Sequence, residues 1–322
     1  MQVLVTGGAG FIGANLARAL GERGHKVVVV DDLSTGSLDN LDGVDATFHE
    51  GTILDPDLLD SACTGCDAIV HLAARPSVPR SIADPVASHH ANASGTVEVL
   101  EAARRVGNAH VVVASSSSVY GRNPTLPKSE DLRTEPMSPY AVSKLATEQY
   151  ALAYAHCFDL PVLPFRFFNV YGPLQAAGHA YAAAIPAFID AALREQSIPI
   201  DGDGLQSRDF TYVGSVTDAI TTALERRLTS DTPVNLAFGT RRTLLEVIDS
   251  LGDLLGRVLP RTHRDPRPGD VRHSQADGTR LATLLPDVAP RDFDTGLAAT
   301  LDWFRTLPEY AASPDVAEAR VS

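Results

Sequence analysis

The hydrophobic pattern of this chain alternates between short runs rich in β-branched residues and longer stretches of mixed polarity. The runs at residues 27–30, 68–72, 111–114 and 162–167 have the length and composition of buried strands. Stretches such as 86–105 and 140–155 have the length of helices. Strands that alternate with helices indicate a parallel sheet with helices on both faces. The predicted fold class is therefore α/β, a doubly wound parallel sheet followed by a smaller, less regular mixed α/β part.

A glycine-rich turn connects the first predicted strand to the helix after it. Gly7, Gly10 and Gly13 lie there at the spacing that a dinucleotide pyrophosphate requires, because glycine permits the tight turn and the close approach of backbone to phosphate. The helix that follows directs free N–H groups at the phosphates. The next strand ends in Asp31 and Asp32, where a carboxylate would bind ribose hydroxyls and repel a 2′-phosphate. The pattern predicts a Rossmann sheet that binds NAD rather than NADP.

Composition and charge argue against several classes of protein. The chain has 322 residues, enough for about two domains, and its formal net charge of −13 argues against a nucleic-acid partner. No apolar run approaches the roughly 20 residues of a membrane span, and the first strand begins at Gln2, which leaves no room for a signal peptide. We therefore expect a cytoplasmic protein that does not contact membranes.

Two residue pairs raise the question of a metal or redox centre. Cys63 and Cys66 form a CxxC, and His89 and His90 are adjacent. Neither pair has the further ligands at the spacing that a structural zinc site requires. We expect no metal, two reduced thiols in a loop, and a histidine pair on a helix surface.

Tyr140 and Lys144 have the spacing of residues that act together. Ser138 and Pro139 are typical of an N-cap and a first helical position, so a helix should begin here. Residues four apart share one helix face, which brings the phenol and the ammonium into one site. The ammonium and the positive end of the helix dipole should lower the pKa of Tyr140 from about 10. Tyr140 is thus a candidate general base.

Hydroxyl side chains follow the apolar run at 111–114. Ser115, Ser116, Ser117 and Ser118 come directly after it, and ligands of doubly wound sheets bind at the carboxyl ends of strands. Taken alone, such a run is more simply explained as a serine-rich turn. Beside the Tyr140 and Lys144 pair, a catalytic hydroxyl is favoured.

Together these motifs resemble the extended short-chain dehydrogenase/reductase family, and within it the nucleotide-sugar branch of UDP-hexose 4-epimerases with their dehydratase and decarboxylase relatives. The resemblance covers nearly the whole chain. Besides the motifs above, it is carried by residues 71–74 (HLAA), 92–96 (NASGT), 166–173 (RFFNVYGP), 202–204 (GDG), 207–210 (SRDF) and 267–270 (RPGD). It implies NAD as cofactor and a UDP-sugar as substrate.

The resemblance also implies roles for single residues. Ser116 would relay a proton to the sugar 4-hydroxyl, Tyr140 would be the base, and Lys144 would bind the nicotinamide ribose. The implied cofactor-binding residues are Gly7, Gly10, Phe11, Ile12, Gly13, Asp31, Asp32, Ser34, Thr35, Gly36, Thr52, Ile53, Leu72, Ala73, Ala74, Asn92, Tyr140 and Lys144.

On the substrate side, the resemblance implies that Asn169 holds the sugar diphosphate, that Arg208 and Arg267 pair with its oxygens, and that Asp270 accepts from the uridine ribose. Guanidinium forks suit diphosphate oxygens. The implied substrate-binding residues are Ser77, Val78, Ser116, Ser117, Ser118, Asn169, Arg208, Arg267, Asp270 and Ser274.

The serine run also separates the reactions of this family. Relatives that eliminate water resemble a Thr-Asp-Glu at the positions of Ser116, Ser117 and Ser118, because elimination needs carboxyl acid and base groups. Serine at both later positions favours simple 4-epimerisation. A nucleotide-sugar dehydratase, or an epimerase acting on an unusual intermediate of antibiotic or polysaccharide biosynthesis, stays a second hypothesis. A catalytically silent NAD-binding regulator is a third.

Ser274 corresponds, by the resemblance, to a position that limits substrate size. Epimerases restricted to UDP-glucose and UDP-galactose have tyrosine there, whereas those that tolerate N-acetylhexosamines resemble this serine. UDP-GlcNAc and UDP-GalNAc are therefore favoured, with UDP-glucose and UDP-galactose left open; an ordinary loop serine is the alternative. Thr52 and Asp201 depart from a common adenine-contacting aspartate and a base-stacking aromatic residue. The base of the nucleotide, uridine or thymidine, thus stays open.

The resemblance implies two interleaved domains. Residues 1–170, with about 209–238, would form the NAD-binding Rossmann domain. Residues 171–208 and 239–322 would form the nucleotide-sugar-binding domain. Relatives usually dimerise through a four-helix bundle, so we expect a homodimer that uses the predicted helices at 86–105 and 140–155.

Overall fold

The structure is a computed structural model that describes residues 1–177, 183–266 and 272–310. The strands are β1 Gln2–Thr6, β2 Lys26–Asp31, β3 Ala46–Glu50, β4 Ala68–His71, β5 His110–Ser116, β6 Val162–Phe167, β7 Asn169–Tyr171, β8 Ile198–Asp201, β9 Ser207–Tyr212, β10 Val234–Leu236, β11 Arg241–Thr243 and β12 Arg261–Arg264. The α-helices are α1 Phe11–Glu22, α2 Pro56–Cys63, α3 Val78–Ala83, α4 Pro85–His89, α5 Gly95–Arg105, α6 Pro139–Phe158, α7 Ala184–Leu193, α8 Val213–Glu225, α9 Leu244–Leu254, α10 Thr279–Leu284 and α11 Phe293–Thr306.

The main sheet has seven parallel strands in the order β10-β6-β5-β4-β1-β2-β3. The order runs outward in both directions from β1 and β4, which is the arrangement of a doubly wound sheet. The predicted strand before the glycine turn corresponds to β1, and the four apolar runs correspond to β2, β4, β5 and β6. The predicted fold class is therefore confirmed.

Both faces of the main sheet are buried, which explains the continuous apolar runs. Val27 and Val29 contribute to one hydrophobic core, whereas Val28 and Val30 contribute to the other. Successive side chains of a strand point to opposite faces, so a strand covered on both sides needs apolar residues at every position. Edge strand β3 has only a mixed pattern, because its side chains are half-buried or exposed, and the sequence did not indicate it.

The predicted helix at 86–105 is not continuous. It consists of α4, a π-helical turn at His90–Ser94, and α5. Within the turn, the Asn92 carbonyl accepts hydrogen bonds from the hydroxyls of Thr96 at 2.5 Å and Thr147 at 3.1 Å. Hydroxyls that bond a helix carbonyl can interrupt the regular backbone ladder, and π-helical turns are frequent at functional sites.

The start of α6 is as predicted. The Ser138 hydroxyl accepts from the Ala141 backbone N–H at 3.1 Å, and Pro139 is the first helical residue. The helix extends to Phe158, beyond the predicted residue 155, and it packs against β5. These contacts bring Tyr140 and Lys144 toward the end of β5 that carries the serines.

The second half of the chain builds two small sheets and also returns to the main one. Strand β9 pairs with β7 and β11, and β12 pairs with β8. Helices α7, α9 and α11 contribute to a separate hydrophobic core. The chain then rejoins the main sheet, because α8 packs on α1 and β10 pairs with β6. The division into two interleaved domains, with its boundaries, stays a prediction.

The structure also bears on the cysteine pair, on metal binding and on membrane-spanning helices. Cys63 and Cys66 are free and buried, but Cys63 closes α2 rather than lying in a loop, and burial raises the pKa of the Cys63 thiol to about 12. Within the described ranges, no group of three or more His, Cys, Asp or Glu side chains is arranged to hold a metal ion. No described helix combines the length and the apolar character needed to cross a membrane.

Candidate active site

A cavity of about 870 Å³ lies at the carboxyl ends of the main-sheet strands. Its walls include residues that end or follow β1, β2, β4, β5 and β6. This edge of an open parallel sheet is where ligands of doubly wound folds bind. The strand order alone thus places the cavity where the sequence predicted a cofactor.

Glycines shape the part of the cavity between β1 and α1. Gly7 has a φ of +71°, and a Cβ atom there would lie 2.7 Å from the Ala73 backbone nitrogen. A Cβ on Gly13 would overlap the Gly7 carbonyl oxygen. Larger residues would fill this cradle, so the backbone at the start of α1 is left open to a phosphate group. The geometry fits a dinucleotide.

Two aspartates lie at the end of β2. Asp31 accepts from the backbone N–H groups of Ala9 and Leu33, each at 2.9 Å, and Asp32 accepts from that of Ser34 at 3.0 Å. Burial raises the pKa of Asp31, and the backbone hydrogen bonds counteract that rise. Asp31 therefore braces the glycine turn while it also lines the cavity.

All but two of the predicted cofactor residues line this cavity. One exception is Gly36, where a Cβ would lie 2.8 Å from the Ala9 carbonyl, so this glycine packs against the outside of the glycine turn. The other is Asn92, whose amide oxygen accepts from the Arg75 backbone at 2.7 Å and whose amide nitrogen donates to Ser143 at 2.9 Å. Gly36 and Asn92 therefore contact other residues of the protein rather than the cavity itself.

Ser116, Tyr140 and Lys144 line the other part of the cavity together. Ser116 is the last residue of β5, and its hydroxyl is hydrogen-bonded to the Tyr140 phenol. The Lys144 ammonium donates to the Ala114 carbonyl at 2.8 Å. Burial lowers the pKa of Lys144 to about 8. The predicted catalytic residues therefore form one group.

The expected lowering of the Tyr140 pKa is wrong for this structure. Burial raises it, and the hydrogen bond with Ser116 offsets only part of the rise. The reason is that desolvation disfavours the phenolate, while the Lys144 ammonium is engaged with the Ala114 carbonyl. The phenolate needs additional positive charge beside it before Tyr140 can act as a base near neutral pH.

The predicted substrate-binding residues lie in different parts of the fold. Ser117 and Ser118 form the turn after Ser116, and the Ser118 hydroxyl oxygen is buried without a partner among the described residues. Ser77 and Val78 begin α3 beside the cavity residues Pro76 and Arg80, but do not line the cavity themselves.

Strand β9 links the remaining substrate-binding residues that the structure describes. Asn169 donates to the Asp209 carbonyl at 3.3 Å, Arg208 lies in β9, and Ser274 donates through its backbone to Ser207 at 3.0 Å. These three are close in the fold but are not among the residues that line the cavity. Arg267 and Asp270 lie outside the described residues.

Several cavity residues were not identified as site residues from the sequence. Arg75, Pro76 and Arg80 follow β4, Phe167 and Phe168 end or follow β6, and Val170 and Gln175 lie in and after β7. Their position after strands that end at the same sheet edge is the signal that would have identified them.

Comparison with known proteins identifies the family. The model of the NAD dependent epimerase/dehydratase family matches residues 3–237. This chain belongs to that family. It therefore uses NAD, in agreement with the glycine cradle and the aspartates.

Two relatives illustrate its similarity to epimerases. The UDP-glucose 4-epimerase of Mycolicibacterium smegmatis is 37% identical over 315 residues, which cover 95% of this chain and 99% of that protein. The solved structure of a UDP-N-acetylglucosamine 4-epimerase from Methanobrevibacter ruminantium, in complex with UDP-N-acetylmuramic acid, has a TM-score of 0.89 and 35% identity. That match covers 94% of this chain and 97% of the other.

Similarity extends to family members named for another reaction. The dTDP-glucose 4,6-dehydratase of Streptomyces niveus is 35% identical over 321 residues, covering 95% of this chain and 93% of that protein. Overall identity therefore does not distinguish epimerisation from elimination, and the residues of the site must do so.

Because the Lys144 ammonium is buried, we expect the stability of the folded protein to depend on pH. The pKa of Lys144 is about 8 in the folded protein, whereas the ordinary value, expected in the unfolded chain, is 10.5. Between these pH values the unfolded chain therefore binds more protons than the folded protein does. The free energy of unfolding of the nucleotide-free protein, relative to Lys144→Met, should rise by roughly 3 kcal/mol from pH 7.5 to 10.5. Urea denaturation measures this, with Lys26→Met at an exposed position as the control. A pH-independent difference would contradict the prediction.

Proposed function

We propose that this protein catalyses the NAD-dependent 4-epimerisation of a UDP-sugar, through a transient 4-keto intermediate. The observation that carries this is that no described residue lining the cavity places a carboxyl group beside Ser116. Among the described residues that line the cavity, the carboxylates are Asp31 and Asp32, which lie at the glycine turn. Elimination of water needs a carboxyl acid and base beside the sugar, whereas removal and return of a hydride need only a hydroxyl relay and a base.

The catalytic residues have distinct tasks in this proposal. Tyr140 takes the proton of the sugar 4-hydroxyl, with Ser116 as the relay between them. Lys144 holds the nicotinamide ribose and contributes positive charge beside the phenolate. NAD, when bound, supplies a cationic ring that accepts the C4 hydride and gives it back. Return of that hydride to the opposite face of the 4-keto sugar would give the epimer, and NAD would not be consumed.

Ser274 supports UDP-N-acetylhexosamines as the favoured substrates. Its backbone is held against Ser207 in the β9 region that also contains Arg208, and its side chain is small. A small residue leaves room for a 2-acetamido group. The Methanobrevibacter ruminantium relative is a UDP-N-acetylglucosamine 4-epimerase, which is consistent with this choice.

We also propose a homodimer formed by the α3, α4 and α6 surface. Ile82, Val86, Val142 and Tyr150 expose 66%, 64%, 53% and 44% of their surface on these three helices. Exposed apolar groups on adjoining helices are typical of an interface, and α6 packs against both α3 and α4. A second copy that presents the same face would cover these apolar side chains.

The first prediction concerns the reaction. The purified protein should interconvert UDP-GlcNAc and UDP-GalNAc without added NADH, and Tyr140→Phe should reduce the rate by at least about 100-fold because the base is lost. Mass spectrometry and NMR follow the products, since epimerisation conserves mass and dehydration removes one water. Products that are only dehydrated would support the dehydratase hypothesis instead. Bound NAD without turnover of any UDP- or TDP-sugar would support a regulator.

A second prediction tests the size limit. Ser274→Tyr should lower kcat/KM for UDP-GlcNAc by roughly 10- to 100-fold through steric exclusion of the acetamido group. It should leave UDP-glucose turnover, where present, within about 3-fold of the original value. Ser274→Ala is the matched control that keeps the space. An equal loss with both sugars would show that Ser274 does not select by size.

A third prediction concerns assembly. Val142→Glu should convert the dimer to a monomer, because a carboxylate would be buried without a partner in the interface. Val258→Glu is the control, because Val258 is 92% exposed and does not lie on α3, α4 or α6. This variant should stay dimeric. Light scattering after size exclusion measures the mass. A wild-type monomer, or a dimeric Val142→Glu variant, would refute this interface.

A further inference from the structure

The chain between β12 and α10 includes a short segment, residues 272–277, that lies beside β9. On one side, the Ser274 N–H donates to the Ser207 carbonyl of β9 at 3.0 Å. On the other side, the Lys128 N–H donates to the Gln275 carbonyl at 2.7 Å. The segment is part of no helix or longer strand, so these hydrogen bonds determine where Ser274 lies.

The same segment also contacts Arg208, the other described side chain that is expected to meet the nucleotide sugar from β9. The Arg208 guanidinium donates to the Arg272 carbonyl at 3.3 Å. A shift of the 272–277 segment would therefore move Ser274 and, at the same time, one of the groups that hold Arg208. Two candidate substrate contacts thus depend on the placement of one short stretch of backbone.

A buried carboxylate holds this segment to β9 near its far end. The Ala276 N–H donates to the Asp209 carboxylate at 2.9 Å, and Asp209 is 0% exposed. Burial raises the pKa of Asp209 to about 6, and the backbone N–H groups of Ala276, Gly239 and Thr240 counteract that rise. The Oδ1 atom, by contrast, has no hydrogen-bond partner among the described residues. The bond to Ala276 is therefore the main direct contact of this carboxylate.

The charge of Asp209 makes that contact stronger than an ordinary one. With a pKa of about 6, the carboxylate is mostly ionised at neutral pH, and an ionised acceptor forms a shorter and stronger hydrogen bond than a neutral acceptor does. Burying the charge costs free energy that a neutral side chain would avoid. We therefore expect the charged acceptor to serve the placement of the 272–277 segment more than the stability of the fold.

We propose that Asp209 is a positioning residue for the substrate, because its carboxylate fixes the 272–277 segment against β9 and thereby sets where Ser274 and Arg208 meet the nucleotide sugar. This inference rests on the proposed UDP-sugar substrate. Asp209 is not among the described residues that line the cavity, so it acts through its neighbours rather than on the reacting atoms.

The test measures binding and backbone protection rather than turnover. Calorimetry gives the affinity of the NAD-loaded protein for UDP and of the nucleotide-free protein for NAD. Asp209→Ala should weaken UDP binding by roughly 10-fold, as expected for the loss of a charge-assisted hydrogen bond. It should change NAD affinity less than 2-fold, because the glycine turn is untouched. Amide hydrogen exchange in residues 272–277 should become at least about 10-fold faster, with β1 unchanged.

Two further variants make the test specific. Asp209→Asn keeps an acceptor oxygen for the Ala276 N–H and should bring UDP affinity back to within about 3-fold of the original value. Asp292→Ala is the matched control, since it also removes a carboxylate from a backbone N–H, that of Thr295, but at the start of α11. It should leave UDP affinity within 2-fold. Should Asp209→Ala not fold, Asp209→Leu replaces it, because leucine fills the space without an acceptor.

Several results would overturn the inference. Equal weakening of UDP and NAD would show that Asp209 supports the fold as a whole. Unchanged UDP affinity, or weaker UDP binding without faster exchange in residues 272–277, would show that this carboxylate does not position the substrate side. An original protein that binds UDP but epimerises no sugar would refute the proposed reaction alone, whereas one that does not bind UDP would refute both.

Discussion

The buried ion pair between Arg166 and Glu148 holds α6, the helix that carries Tyr140 and Lys144, to the main sheet. Arg166 on β6 donates twice to the Glu148 carboxylate on α6, at 2.9 and 2.7 Å, and the side chains are 3% and 0% exposed. Such a pair is tolerated only when its remaining polar groups are also satisfied. The Arg166 guanidinium lies over the Tyr120 ring at 4.8 Å and donates to the Glu130 carbonyl. Removal of either charge alone would leave the other buried.

The consequence for the site follows from the positions of these residues on their elements. Glu148 lies one turn after Lys144 on α6 and accepts from the Ser115 hydroxyl at 2.9 Å, next to Ser116. The same carboxylate therefore contacts both elements that carry catalytic groups. A shift of α6 relative to β5 would break charge-assisted hydrogen bonds, so the distance between Ser116 and Tyr140 is fixed by the core.

A second buried chain of polar groups connects the cofactor turn to α6. His71 lies between the hydroxyls of Thr6 at 2.8 Å and Thr96 at 3.1 Å, and Thr96 contacts Thr147 on α6 at 3.0 Å. Burial, together with the charge of Lys144, lowers the pKa of His71 to about 3, so the ring is neutral and can both donate and accept. This chain thus joins Thr6, the residue before the glycine turn, to α6, whereas the Arg166 and Glu148 pair joins α6 to β6.

The sequence predicted the strands and motifs that depend on local pattern, but it did not predict the properties that depend on burial in the fold. Doubly buried strands leave continuous apolar runs, and the glycine, serine and Tyr140/Lys144 motifs could be read directly. The direction of the Tyr140 pKa was wrong because neighbouring charges are visible in a sequence, whereas desolvation depends on the fold. The π-helical turn around Asn92 was missed because it depends on hydroxyls from α5 and α6. Gln175 was missed as a cavity residue because the residues that line the cavity are brought together only by the fold.

The Arg166 and Glu148 pair also bears on the choice between epimerisation and elimination. Relatives named for both reactions share about a third of their residues with this chain, so the scaffold alone is compatible with either. The Glu148 carboxylate contacts the serine run, since it accepts a hydrogen bond from the Ser115 hydroxyl. Yet both its oxygens are held by Arg166, and its side chain is fully buried. Glu148 is not among the described residues that line the cavity, so it does not supply the acid that elimination requires.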